Sequence, residues 1–197
     1  MRTRLATLAL LLCAGVAAPA HAAQTTVRDR TGDVQQSRVD EDSVFVLQSG
    51  IKEGDFVSTT FRHGPTNVVV TSRFRELARV GSYHGFYLRL ESGKRVYRDV
   101  TVETGPGAWR GMRTVTDRQG HRVRCGVQHS IDYDRNVVRV VVPRACLGKP
   151  RLVRGTAAAA WTQPDRDDPS QSDLLQVDNP HSTETDANTW TRWIARD

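Results

Sequence analysis

Two runs decide the fold: Cys125-Gly-Val-Gln-His-Ser-Ile-Asp-Tyr133 and Val137-Val-Arg-Val-Val-Val142, with Asp134-Arg135-Asn136 between them. Both have strand length and strand composition, and the residues between are turn formers, so the pattern predicts a β-hairpin. With Arg135 and Asn136 as a two-residue loop, Asp134 faces Val137, and counting outward by equal steps brings Cys125 opposite Cys146. That register makes them a non-hydrogen-bonded pair with Cα atoms about 4.5 Å apart, within reach of a disulfide. It places Val127, His129, Ile131 and Tyr133 on one face with Val138, Val140 and Val142, and Gln128, Ser130 and Asp132 on the other with Arg139. Pro143 would fall at a hydrogen-bonded position opposite Gln128, so the ladder frays there or the strand is an edge. The bond would close a loop of about 22 residues, worth roughly 3 kcal/mol in the chain-entropy account. The pair lacks the C-x-x-C spacing of a redox site.

Outward from this hairpin the same signals repeat. Strand-like runs cover residues 43–48, 55–63, 67–74, 83–91, 95–103, 109–116, 121–124 and, weakened by Ala157 to Ala160, 152–161. Turns are marked by Gly64-Pro65-Thr66, Ser92-Gly93-Lys94, Gly105-Pro106-Gly107 and Asp117-Arg118-Gln119-Gly120. About eight or nine strands with frequent turns and little helix predict an all-β antiparallel sandwich, with a partly closed β-barrel as the alternative. The expected organisation is a signal peptide at 1–22, an N-terminal arm or loop at 23–42, the sandwich at 43–162 and a polar, partly flexible tail at 163–197.

The start of the chain sets the compartment. Arg2 and Arg4 precede an apolar run from Leu5 to Ala18 that is too short to span a bilayer, and Ala20-His21-Ala22 fits a cleavage site before Ala23. Cleavage predicts a secreted bacterial protein whose remaining cysteines, Cys125 and Cys146, meet in an oxidising compartment and pair. It leaves no transmembrane segment, and 26 basic residues against 22 acidic ones, a formal charge of +4. The 197 residues, 38% hydrophobic and 25% charged, suit one globular domain and exclude a membrane-embedded or collagen-like chain. The arginines are scattered rather than clustered with aromatics, so nucleic acid is not an expected partner; weak adhesion to anionic cell-wall polymers is compatible with the charge.

The chemistry candidates are few. Asp29-Arg-Thr-Gly-Asp33-Val34, with Asp40, Glu41, Asp42 and Asp55 downstream, offers clustered carboxylates for a hard cation, and Asp29 and Asp33 are the candidate calcium ligands. The spacing is not an EF-hand loop, and the same aspartates could simply close turns. His63, His84, His121 and His129 lack zinc-ligand spacing. There is no G-x-S-x-G nucleophile motif. Tyr87 and Tyr97 lie opposite the apolar sets of their strands, and a turn at Ser92-Gly93 would pair them nearly across from each other as an exposed aromatic platform for a ligand such as a sugar. The alternatives are a second buried face or a lid formed by the tail.

The order Asp29-x-x-Gly32-Asp33-Val34, Gly54-Asp55-Phe56, Arg62-His63, Asn67-Val-Val-Val-Thr71 and Val142-Pro-Arg-Ala-Cys-Leu-Gly148 resembles that of uncharacterised secreted actinobacterial β-sandwich proteins. More distantly it is similar to family 9-like carbohydrate-binding and DOMON-type domains. The resemblance implies ligand binding, in some cases with calcium, and no catalysis. The expectation is a secreted, non-enzymatic β-sandwich that binds an extracellular glycan or cell-wall polymer. The rivals are a secreted hydrolase with a dispersed site, such as His63 or His84 beside an Asp, and a structural or protein-interaction module.

Overall fold

The computed structural model describes residues 23–38, 44–164, 173–180 and 189–197. The expected signal peptide lies outside the described residues, as do Asp40, Glu41 and Asp42. The described chain forms β1 (Ala23–Arg28), β2 (Gln35–Arg38), β3 (Val46–Leu47), β4 (Phe56–His63), β5 (Asn67–Phe74), β6 (Tyr83–Ser92) and β7 (Tyr97–Thr104). There follow β8 (Met112–Thr116), β9 (Gln128–Asp132), β10 (Val137–Pro143), a 3-10 turn (Arg144–Leu147), β11 (Leu152–Gln163), β12 (Leu174–Asp178) and β13 (Ile194–Ala195).

These strands make two antiparallel sheets, not a closed barrel. The first has the order β1-β4-β5-β10-β9 and the second β3-β2-β12-β11-β6-β7-β8, with β13 pairing β11 at its free end. Alternation decides which face is buried. Val68, Val70 and Phe74 on β5 and Val138, Val140 and Val142 on β10 point inward from the first sheet. Phe86, Leu88 and Leu90 on β6 and Val100 and Val102 on β7 meet them from the second. A β-bulge between Phe56 and Ser58 changes the phase of β4, so that Phe56 and Phe61 both reach the core.

The small residues of β11 have a packing reason. Gly155, Ala157 and Ala159 face inward at the centre of the second sheet. A Cβ on Gly155 would stand 2.5 Å from the Phe61 ring and 2.9 Å from Leu90. The sheets can close on the phenylalanines only because this strand presents almost no side chain, the interdigitation of large and small that dense cores require.

Three expectations are corrected. The hairpin turn is four residues, Tyr133 to Asn136, with Val137 opposite Asp132. Asn136 takes a left-handed φ of 55°, and the Arg135 N–H donates to Asp132 Oδ1 at 3.0 Å. Each pairing shifts by two residues, which leaves every side chain on its predicted face. The ladder with β9 ends at Gln128–Val141, short of Pro143, so the missing N–H costs nothing there. The Cys125–Cys146 disulfide is present, with Cα atoms 5.7 Å apart, but it is not a rung of the ladder. Cys125 precedes β9, where the Val127 N–H bonds the Cys125 carbonyl in a tight turn, and Cys146 sits in the 3-10 turn. Of the expected arm or loop at 23–42, residues 23–28 form β1 at the edge of the first sheet and residues 35–38 form β2 between β3 and β12 in the second; the tail contributes β12 as an inner strand between β2 and β11. Their polar composition reads as loop because β1 alternates half-buried with exposed residues, and β2 and β12 bury Ser37 and Gln176.

The Cys125→Ser, Cys146→Ser protein should unfold in urea with a stability lower by roughly 3 kcal/mol, the entropy of the released loop. A loss under about 1 kcal/mol would mean that the Arg144 guanidinium, bonded to the carbonyls of Pro65 and Pro150, holds this turn without the disulfide.

Candidate metal centre

Four aspartates converge where the two sheets meet. β1 is paired along β4, and past its last residue the Asp29 N–H still bonds Val57 O at 3.1 Å. The chain then crosses to the second sheet through Gly32, whose φ of +85° suits glycine, and reaches Asp33 just before β2. Asp55 enters from the start of β4. Its predecessor Gly54 has φ +68° and lies so close under the Trp161 ring that a Cβ would stand 2.2 Å from it, so the indole fixes this stretch of backbone. Asp178 is the last residue of β12. One carboxylate oxygen from each of Asp29, Asp33, Asp55 and Asp178 lies within 4.8 Å of all the others.

Part of this negative charge is answered. Asp55 Oδ2 accepts from Arg75 at 2.7 Å and from the Gly32 N–H at 2.8 Å. Asp178 accepts from the Phe56 N–H at 2.7 Å and the Asn179 N–H at 2.8 Å, the first of these joining the two sheets. The rest is not. Asp29 Oδ2, Asp33 Oδ1 and Asp55 Oδ1 are buried with no hydrogen-bond partner, and Asp33 and Asp55 are 5% and 0% exposed. Burial pushes the Asp29 carboxyl up to about 8, with Asp178 and Asp33 adding repulsion. Burial likewise raises Asp178 to about 7, against its backbone hydrogen bonds, and raises Asp33. Buried carboxylates in this state take up protons or a cation.

The donor set selects the cation. All four side chains offer oxygen, which suits a hard ion and not zinc or copper. Calcium–oxygen distances of about 2.3–2.6 Å make a coordination shell about 5 Å across, in line with the spread of the four oxygens. Of the residues singled out in the sequence, Asp29, Asp33 and Asp55 are brought together. Asp178 was missed. The alternation of Leu174-Leu-Gln-Val-Asp178 before Asn179-Pro180 marks a strand ending on an acid, but its place beside Asp33 comes from the β2–β12 pairing.

The tyrosines do not pair. Tyr87 is opposite Thr101 and Tyr97 opposite Glu91, so they share the outer face of the second sheet four residues apart along the ladder. The β6–β7 turn runs through Gly93, Lys94, Arg95 and Val96, longer than a turn at Ser92-Gly93, and this offsets the register. Tyr87 is exposed, its hydroxyl 2.7 Å from that of Tyr83. Tyr97 is half-buried; it donates to Asp99 and packs against Trp190 and the Arg118 guanidinium.

The histidines are dispersed. His63 is buried with Nδ1 3.1 Å from Ile194 O, and His129 Nε2 lies 3.0 Å from Arg110 O. His121 is exposed beside Asp117. His84 does have a carboxylate neighbour, Glu53 at 3.8 Å rather than an Asp, but it is buried edge-on against Trp109 and its Nε2–H is committed to Val80 O at 2.7 Å. Burial holds the His84 imidazole below its ordinary range. Comparison with family models, curated proteins and solved structures found no match for the chain.

The raised carboxyls set a pH dependence. A folded-state pKa above the unfolded value of 3.8 gives stability that is full at acid pH and lost as pH rises toward 7 and 8. Glu53, raised to about 7, acts in the same direction. His63 and His84, lowered by burial, act oppositely, but only up to about the ordinary histidine range. In chelator, the urea-unfolding free energy should therefore fall from about pH 4.5 to 8, by up to about 1.4 kcal/mol per pH unit for each carboxyl protonated in the folded but not the unfolded state, with the histidines offsetting part of the fall below about pH 6.5. Millimolar calcium should remove most of the fall. A flat profile in chelator would contradict the charge balance described.

Proposed function

We propose that the chain is a secreted, non-enzymatic β-sandwich that binds calcium at Asp29, Asp33, Asp55 and Asp178 and uses the rigid sheet face so obtained to hold an extracellular ligand such as a glycan or cell-wall polymer. The observation that carries the reading is the set of three buried carboxylate oxygens without partners, contributed from both sheets at one point. A divalent ion there would neutralise most of the excess charge and cross-link β1 and β4 to β2 and β12. The disulfide suits an oxidising exterior. Extracellular modules work with calcium affinities of about 0.1–1 mM, within reach of a site of this kind.

Thermal melts of the oxidised mature protein test the reading. Calcium at about 10 mM should raise the midpoint by a few degrees over chelator, because an ion held about ten- to a hundredfold above its Kd adds about 1.4–2.7 kcal/mol. The Asp33→Asn protein separates charge from fold. Removing one repelling carboxylate should leave it at least as stable as the parent in chelator, with the calcium response abolished. No calcium shift in the parent, or an unchanged shift in Asp33→Asn, would sink the proposal.

A further inference from the structure

The outer face of the second sheet carries a trough of about 340 Å³ that reaches Val177 and Asp178 on β12, so one end of it adjoins the carboxylate cluster. Its floor is made of small residues on β11 and β7. Ala158 stands opposite Tyr87, Ala160 opposite Gly85, and Thr101 beside them. One wall is Tyr87. Its ring is held in place because Gly85 has no side chain: a Cβ there would lie 2.5 Å from the Tyr83 hydroxyl and 2.6 Å from the Tyr87 hydroxyl, which bond each other across the gap. The other wall is an ion pair, Arg89 Nε to Asp99 Oδ1 at 3.3 Å, with the Tyr97 O–H donating to Asp99 at 3.1 Å. Thr156, opposite Arg89 in the ladder, also lines the trough, and its buried hydroxyl has no partner.

The chemistry of the walls narrows the ligand. The volume is at the small end of ligand sites, room for a sugar unit rather than a peptide or lipid chain. The ion pair is balanced, and the one other charged residue of the lining, Asp178, is buried and accepts from backbone N–H groups, so the trough selects neither an anion nor a cation. A guanidinium beside a carboxylate offers donors and acceptors side by side, which adjacent hydroxyls of one ring can satisfy together, since each hydroxyl both donates and accepts. An apolar floor with an aromatic wall takes the C–H face of the same ring. We propose that this trough binds a neutral sugar ring, its C–H face on Ala158, Ala160 and Tyr87 and its vicinal hydroxyls shared between Arg89 and Asp99. Tyr87 and Tyr97 then bracket the ligand: Tyr87 by contact, Tyr97 as a positioning residue that orients Asp99. The inference deepens the ligand-binding part of the proposed function and needs the fold, not the ion, to be correct.

Saturation-transfer NMR with D-glucose, D-mannose and D-galactose, and separately with soluble dextran and mannan, tests it on calcium-loaded mature protein. At least one probe should bind, with the strongest transfer to its ring C–H protons; binding confined to the polymers would mark a chain-binding site, and equal binding of free hexoses a single-ring site. Tyr87→Ala and Asp99→Asn should each weaken binding at least about tenfold while leaving the calcium shift of the melt unchanged. Failure of every neutral probe with a protein of intact melt, or binding undiminished in both variants, overturns the trough. Sugar binding without a calcium shift would leave the trough standing and remove only the cation site.

Discussion

At one point on the seam between the sheets, four carboxylates share a space, one of them, Asp55, is paired with Arg75, and three of their oxygens accept no hydrogen bond. Uncompensated charge of that kind is among the costliest things a protein interior can contain. Its location gives it influence over the whole fold. Asp29 and Asp55 belong to the β1–β4 pair at one edge of the first sheet, and Asp33 and Asp178 to the β2–β12 pair of the second. Whatever neutralises the cluster therefore acts on both sheets at this end. Protons can do so at acid pH, and a divalent ion can do so at neutral pH while joining all four segments.

The rest of the sandwich is held by ordinary means. Gly155, Ala157 and Ala159 let the phenylalanines of the first sheet approach the second, and the Trp161 ring seats on the bare backbone of Gly54, next to Asp55. The core and the charged seam are thus linked through one indole. The same strand serves both of its faces. Its inward glycine and alanines admit the core aromatics, and its outward Ala158 and Ala160 keep the trough shallow and apolar between Tyr87 and the Arg89–Asp99 pair.

Much of this was legible in the chain because β-structure is written in a period of two. The limits of β5 and the faces of β9 and β10 follow from alternation alone, and an error of two residues in the hairpin register left the faces intact. Register itself was not legible. Asn136 could accept a left-handed φ at the end of a four-residue turn as readily as in a two-residue one, and the β6–β7 turn was likewise longer than its Ser92-Gly93 signal. So the disulfide was foreseen as a bond but misplaced as a rung, and Tyr87 and Tyr97 were foreseen on one face but not four residues apart. The cluster divides in the same way. Asp29 and Asp33 stand together around Gly32 and Asp55 follows Gly54, whereas Asp178 comes from a segment whose neighbours are chosen by long-range pairing.

The most direct measurement is a calorimetric titration of chelator-stripped mature protein with calcium near neutral pH. The account predicts one site per chain, absent in Asp33→Asn and retained in Asp99→Asn, whose carboxylate lies on the outer face. An absence of binding heat at millimolar calcium, or a site unaffected by Asp33→Asn, would contradict it.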